Sequence, residues 1–539
     1  MATHEVLNQP PPLEGHDVFG ADEALVEAVA REGAGWALDD LHDLGRLAGS
    51  PDAIEWGAAA NANPPALRTH DRFGHRVDEV AYHPAYHRLM EVAVGRGLHT
   101  GPWSDPRPGA HVARAAGFVV WSQVDAGHFC PVSMTYAVVP ALRAHPGLAA
   151  EWEPRFASRT YDPSSRPAAA KAGALAGMAM TEKQGGSDVR ANTTRAEPAG
   201  GDGEVALTGH KWFCSAPMSD AFLVLAQAPG GLSCYLVPRW RPDGTRNAVH
   251  LQRLKDKLGN RSNASSEIEL DRAWGRLVGE EGRGVATIIA MVNATRLDCV
   301  LGATAGMRQA VAQATHHAAH RRAFGRELVD QPLMANVLAD LAVEAEAATV
   351  LALRLARACD AGEGPFRRLA TAVGKYWVCK RHPALVAEAL ECLGGNGYVE
   401  ESILPRLFRE SPLNGIWEGS GNVMCLDVLR AMAKEPAALA AFREEVALAA
   451  GADRRLDAAV AALDADLADL DGIEARARRV VERMALVLGG SLLIRHGHPA
   501  VADAFCASRL GGDWGRAFGT LPRGVPFGTL VDRARPKVG

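Results

Sequence analysis

Met180–Asp188 reads MTEKQGGSD, and Ile416–Asn422 reads IWEGSGN. The first stretch offers two hydroxyls, Thr181 and Ser187, and a knot of backbone N–H groups around Gly185 and Gly186. That is a polar lining suited to a ring-bearing ligand with an anionic tail. The second sets one carboxylate, Glu418, on a glycine-flanked loop from which it can reach a bound molecule. A lone GGS is usually a turn and a lone Glu usually a surface acid. The two stretches together, in this order and spacing, point to one catalytic assembly.

The texture of the chain around them is uneven. From about Asp22 to Ala170 it reads mainly as helix, broken by loops at Asn61–Pro65 (NANPP) and Gly101–Gly109 (GPWSDPRPG), where proline removes a donor and disfavours helix just before it. From Gly177 the apolar runs become short, alternating and glycine-punctuated (EVALTGHKWF, AFLVLAQA, LSCYLVPRW), which predicts a β-barrel or sandwich over Gly177–Arg283. Helical spacing returns at Val285. Leu333, Val337, Leu341, Ala348, Leu351 and Leu355 share a face, Thr371–Leu393 is a second helix, and Val423–Ala433 a third beyond the Glu418 loop. After Lys434-Glu435-Pro436, the leucine stripe Leu456, Val460, Leu463, Leu467, Leu470 predicts a helix–helix seam. The predicted domains are therefore 1–176 (helical), 177–283 (β), 284–435 (helical bundle with the Glu418 loop) and 436–539 (helical), a multidomain, mostly α chain.

Bulk properties narrow the function. At 539 residues the chain needs more than one core, and 47% hydrophobic with 22% charged residues is ordinary globular composition. A net charge of -5 carries no overall basic signature, so any nucleic-acid role must come from a local patch. One such patch exists: Arg476 to Gly539 holds eleven Arg or Lys against four acids. Arg476, Arg478, Arg479, Arg483, Arg509 and Arg516 are its candidate phosphate contacts, extended by Arg430 and Lys434; a solvated or subunit-facing surface is the other reading. The nine cysteines are dispersed with no C-x-x-C pair, which predicts reduced thiols and a cytoplasmic protein. No secretory leader and no uncharged apolar run of bilayer length is evident, so no membrane is expected. His316, His317 and His320 form a local cluster with an i, i+4 pair, but a metal site needs a third ligand and a second shell, and the cluster directly precedes the Arg321 motif on a predicted helix, so no metal is expected.

Helices, a β domain and helices again, with these two stretches in register, resemble the acyl-CoA dehydrogenase family. The resemblance extends to HKWFCS (His210–Ser215), to R-x-x-F-G…Q (Arg321, Phe324, Gly325, Gln331) and to the GGNGY turn beginning Gly394-Gly395. It implies FAD, held by Met178, Thr181, Gly185, Gly186, Ser187, Phe213, Cys214, Ser215, Arg321, Phe324, Gln331, Gly394 and Gly395. Around the second loop it implies cofactor contacts from Ile416, Trp417, Gly419, Ser420, Asn422 and Leu426. It also implies that Glu418 removes the α-proton of an acyl-CoA thioester while hydride leaves the β-carbon for the flavin. The family's other location for the base is the helix containing Asn293–Arg296, which has no glutamate. Arg296 matches a family arginine near the pocket, and a structural ion pair is an equal reading. Trp417 stands where tyrosine is usual and Glu391 where glutamine is usual; the bulkier Trp417 narrows the acyl cavity.

Asn8–Trp36, Cys130–Thr135 (CPVSMT), Leu254–Ser265 (LKDKLGNRSNAS) and Ile416–Leu426 are similar to the alkylation-response branch of that family. This narrower likeness implies a cytoplasmic FAD-containing homotetramer that binds double-stranded DNA through its C-terminal region in the adaptive response to alkylation. Its dehydrogenase activity would be weak, toward short branched acyl-CoA such as isovaleryl-CoA. An ordinary acyl-CoA dehydrogenase whose last domain builds the oligomer, and a DNA-binding scaffold that keeps FAD as filler, are the alternatives.

Overall fold

A computed structural model describes residues 3–201 and 203–537. By compactness the chain groups into two units that cut across the predicted boundaries: 55–106 with 124–295, and 1–54, 107–123 and 296–539.

The first unit is built on a β-sheet that closes on itself. Its strands are Ala66–His70 (β1), Arg76–Ala81 (β2), Ala176–Ala179 (β3), Arg195–Pro198 (β4), Glu204–Ser215 (β5), Ala221–Ala228 (β6), Gly231–Pro238 (β7), Val249–Leu254 (β8) and Ser265–Val278 (β9). β4, β5, β9, β7 and β6 pair in sequence, and β6 meets β4 again, so five strands form a ring; β3 lies on β6 and β8 on β9. The β6–β4 closure is a single parallel rung, Arg195 with Gln227. Inside the ring, Leu207, Phe222, Val224, Tyr235, Leu251 and Ile268 are buried, the inward half of each alternating run. β5 carries an irregularity between Lys211 and Cys214, which face Ile268 and Ser266, so three steps on β5 match two on β9. The β1–β2 hairpin lies in the stretch predicted as helix. Its turn is made by Asp71, whose Oδ1 accepts from the N–H groups of Phe73 (2.8 Å) and His75 (2.9 Å), with Gly74 at φ +86. Leu67 and Val80 pack on the barrel core. The helix Phe129–Leu142 is tied to β3 where Ala176 N–H donates to Thr135 Oγ1 at 3.0 Å.

The second unit is helical. Its long helices are Gly284–His320 (α1, whose first residues belong to the β unit), Pro332–Asp360 (α2), Gly364–Cys392 (α3), Gly421–Lys434 (α4), Arg454–Ala468 (α5) and Ile473–His496 (α6). The predicted face of α2 is inward at Leu341, Ala348, Leu351 and Leu355, but Leu333 in its first turn is exposed. In the leucine stripe only Leu456 and Leu463 are buried; Leu470 lies beyond the end of α5 and is exposed. Among the described residues one helix, α1, is by length and composition long and apolar enough to cross a membrane, although Arg296, Asp298 and Arg308 interrupt its apolar run. Most of that window is buried inside the protein, as in a core helix. Residues 436–537 pack onto the bundle as part of this same unit. The buried polar contacts of Arg509 and Arg533, described below, show why.

Candidate active site

The MTEKQGGSD turn is organised around a residue that the sequence reading passed over. Glu182 is fully buried and is met by Lys211 Nζ at 2.7 Å, itself fully buried on β5. Its oxygens also accept from the N–H groups of Thr193 (2.7 Å) and Thr194 (3.1 Å) and from both threonine hydroxyls. Burial alone would raise this carboxyl; the ammonium and the four hydroxyl and amide donors outweigh it and hold it well below the usual range. The signals were present in sequence: the lysine of HKWFCS and the Thr193-Thr194 pair. With Glu182 fixed, the turn closes through Trp212 N–H donating to the Thr181 carbonyl at 2.8 Å. At Gly186 a Cβ would stand 2.5 Å from Thr181 Oγ1, so only glycine lets these two strands of the turn touch. Gly185 (φ +153) faces open space, and Ser187 is exposed.

The β5 irregularity presents the next candidates. Lys211 and Cys214 both turn inward, leaving Phe213 half exposed between them. Ser215 Oγ lies 3.1 Å from Ser265 Oγ across the β5–β9 ladder. The Cys214 thiol is in the core, pushed up to about 12 by burial, so any cofactor contact there falls to its main chain. Met178, likewise, is buried on β3.

In the helical unit, Glu418 takes a left-handed backbone conformation (φ +58), followed by Gly419 at φ +109. A non-glycine residue there is strained and persists only when its surroundings impose it. Arg296 Nε donates to the Glu418 carbonyl at 3.1 Å, and Lys375 Nζ donates to the carbonyls of Gly419 (2.7 Å) and Asn414 (3.1 Å). Trp417 Nε1 donates to Asn414 Oδ1 at 2.8 Å, which gives this indole a partner a phenol could not reach in the same way. Arg296 also pairs with Asp427 on α4 at 2.9 Å, and Arg368 shares that carboxylate at 2.9 Å. Arg296 is thus the structural ion pair of one reading, and its guanidinium also contacts the Glu418 loop.

The remaining cofactor candidates sit on turns. Phe324 (φ +51) and Gly325 (φ +83) form the two-residue turn between Arg322-Ala323 and Arg326-Glu327, and Phe324 is 98% exposed. Arg321 Nη1 donates to the Asn8 carbonyl at 2.5 Å, and Gln331 Nε2 to the Ala323 carbonyl at 2.9 Å, so the N-terminal arm helps shape this turn. Nothing stands within 4 Å of where a Cβ would lie on Gly394 or Gly395. Ile416, Ser420, Asn422 and Leu426 are exposed, and Asn422 Oδ1 accepts from Arg478 Nε at 2.8 Å. In the β unit, the open backbone at Gly185, the exposed Ser187 and the half-exposed ring of Phe213 suit a flat aromatic dinucleotide; in the helical unit, the open backbone at Gly394 and Gly395 and the exposed side chains of Phe324 and Ile416 do so as well, and each set by itself fits FAD.

The basic candidates are largely spoken for. Arg509 is corrected from a surface contact to a core residue: it is buried, with Nη2 2.6 Å from Asp340 and 3.0 Å from Glu344. Arg476 is held by Asp469 at 3.1 Å, Arg479 lies 3.7 Å from Asp466, and Arg483 is bound to that same Asp466. Arg533 is clasped by Glu23, Glu27 and Glu346. Arg516 and Lys434 are exposed, and Arg430 makes only a 3.8 Å contact with Asp427. His316 Nε2 lies 2.9 Å from the Pro11 carbonyl and His320 Nδ1 2.8 Å from the His316 carbonyl; among the described residues no metal-ligating group assembles.

Comparison with known proteins places this geometry. Residues 8–163 match the adaptive response protein AidB N-terminal domain, 177–273 the acyl-CoA dehydrogenase middle domain and 282–433 the acyl-CoA dehydrogenase C-terminal domain. The chain is 48% identical to the Escherichia coli (strain K12) protein AidB over 94% of both chains. The chain belongs to the acyl-CoA dehydrogenase family. Within that family it is AidB-like, an FAD-dependent oxidoreductase by class. It is 30% identical to acyl-CoA dehydrogenase family member 11 of Caenorhabditis elegans, over 82% of this chain and 77% of that one. The solved structure of Caenorhabditis elegans ACDH-11 in complex with C11-CoA superimposes with a TM-score of 0.85 at 27% identity, covering 94% of each chain. The expected family, fold and cofactor class are borne out.

Proposed function

We propose that this acyl-CoA dehydrogenase oxidises acyl-CoA thioesters slowly, with Glu418 as the base, and binds double-stranded DNA through exposed cations of its C-terminal segment in the cellular response to alkylation. The observation that carries the enzymatic part is the base loop itself, where a glutamate is kept in a strained backbone conformation by two buried cations. Glu418 would take the α-proton of the thioester, and its backbone, pinned at the carbonyl by Arg296, sets the direction of the carboxylate. Bound FAD supplies the acceptor for the hydride equivalent that leaves the β-carbon. Trp417, fixed by Asn414, is a bulkier side chain than the family's usual tyrosine beside the base, and an acyl cavity narrowed by it would accord with low turnover and short branched chains. Likeness to AidB supports the alkylation role, and the C11-CoA held by ACDH-11 supports a thioester ligand. A cytoplasmic homotetramer belongs to the same reading. One observation favours a second reading, an ordinary dehydrogenase whose last hundred residues brace the bundle: most of their arginines are already paired within the chain.

The test is anaerobic titration of FAD-loaded protein with isovaleryl-CoA beside titration with duplex DNA. Wild type should bleach and bind DNA more weakly as salt rises, while Glu418→Gln should not bleach and should bind DNA unchanged. Bleaching by Glu418→Gln would remove the base assignment, and absence of salt-sensitive duplex binding would leave the second reading.

A further inference from the structure

Residues 414–419 carry Glu418, and cations from two helices take three of their carbonyls. The two cations are balanced differently. Arg296 shares its charge with Asp427 and, through it, with Arg368. Lys375, on α3 and 1% exposed, has no carboxylate partner among the described residues; its ammonium is met by the carbonyls of Asn414 and Gly419 alone. Burying an ammonium against neutral acceptors is unfavourable compared with burying a methionine of similar length. A residue there for packing only would not need the charge. The two carbonyls it joins lie at the start and the end of the loop, so one side chain closes a ring around Trp417 and Glu418.

We propose that Lys375 is a positioning residue for the base. Its ammonium clamps the two ends of the 414–419 loop, holding Glu418 at its left-handed φ, and places a positive charge on the carbonyl of the residue that follows Glu418, which favours the ionised form of that acid. This rests on Glu418 being the base. Around the clamp, the other charged and titratable groups among the described residues include Arg296, Asp427 with Arg368, Asp298 with Arg114, Lys380 and Tyr376 against Gly421, and the thiols of Cys299 and Cys379. Burial raises both thiols, Cys379 to about 11, so neither titrates where the base works. Lys375 is thus a buried cation held at both ends of the loop by carbonyls, with no acid paired to it among the described residues.

The experiment compares full-length FAD-loaded wild type with Lys375→Met, Lys375→Gln and Lys375→Arg, and with Glu418→Gln in parallel. Two things are measured: the limiting rate of flavin bleaching by isovaleryl-CoA across pH, and hydrogen exchange of the 416–420 amides without substrate. For Lys375→Met the limiting rate should fall at least about tenfold, with apparent affinity for the thioester within about twofold. Its exchange should quicken by about tenfold or more, because the loop loses both end contacts. Its pH midpoint should move upward, since losing a positive neighbour favours the neutral acid. Lys375→Gln keeps N–H donors without charge, so it should restore slow exchange but not the pH midpoint; Lys375→Arg should restore both. Unchanged rate and exchange in Lys375→Met overturns the proposal, as does a rate loss that Lys375→Arg does not rescue or an unmoved midpoint. The failures are separable: bleaching by Glu418→Gln defeats the base assignment, whereas an inert Glu418→Gln beside an unaffected Lys375→Met defeats only the clamp. If Lys375→Met does not fold, Lys375→Gln tests the charge through the pH midpoint and Lys375→Ala tests the clamp through faster exchange.

Discussion

Arg509 shows what one misplaced charge means energetically. Its guanidinium lies between Asp340 and Glu344 and under the Trp514 ring, 4.1 Å from the ring centre, and Trp514 Nε1 donates to Asp340 at 3.0 Å. Removing the arginine leaves the buried Asp340 carboxylate without a counter-charge and Glu344 with Arg381 alone, so Arg509→Ala should lower unfolding free energy by about 3–5 kcal/mol, read by urea denaturation. A loss below about 1 kcal/mol would mean that the pair is not buried in solution. In sequence this arginine was indistinguishable from a phosphate contact, because its acids lie more than 160 residues upstream and no local pattern joins them. Glu418 was legible for the opposite reason: its glycines and its motif are contiguous. Lys375 and Glu182 fall between these cases. Each acts through backbone or through one distant partner, and a lone lysine in a helix or a lone glutamate in a polar run reads as surface.

Among the elements, α5 and α6 account for the weakened case for a uniformly basic C-terminal face. The acids Asp464, Asp466, Asp469 and Asp471 immediately precede the arginines counted from 476 onward, and the two helices fold back so that Asp466 meets Arg479 and Arg483. A count that begins at Arg476 misses them. If duplex DNA is bound, the less committed cations should do it. The combined substitution of Arg430, Lys434, Arg479 and Arg516 by alanine should weaken binding and flatten the slope of log affinity against log salt by about 3. Arg476→Ala with Arg483→Ala should change that slope by less than about 1 while loosening the α5–α6 pairing. Filter binding across salt distinguishes the two sets, and equal effects would restore the original patch. The β1–β2 hairpin was missed for a related reason: its signal is the Asp71 side chain capping its own turn, and the proline-rich flank drew the reading toward interrupted helix.

For the whole molecule, the buried histidines set the response to acid. Burial lowers His16, His111 and His317 from 6.5 to about 4 and His382 to about 3, and all four belong to the helical unit. The folded chain keeps them neutral where the unfolded chain would protonate them. Stability from these groups is therefore full above about pH 6.5 and is lost progressively as pH falls toward 4. Asp22 and Asp220, raised by burial, act in the opposite sense but nearer the carboxylate range. Calorimetry should show Tm falling between pH 6.5 and 5, with net proton uptake on unfolding; a flat Tm there would contradict the burial of these rings. One further property follows from how the barrel is shut. Its seam is the single rung at Gln227, whose side-chain amide also donates to the carbonyls of Arg190 and Asn192, at 3.0 Å each. Those residues continue directly from the glycine turn at 185–186, and Asn192 is itself latched to the Met180 carbonyl. The least fastened joint of the cylinder is thus stitched to the ligand turn, so an occupant gripping that turn would tighten the whole hoop and resist its unzipping.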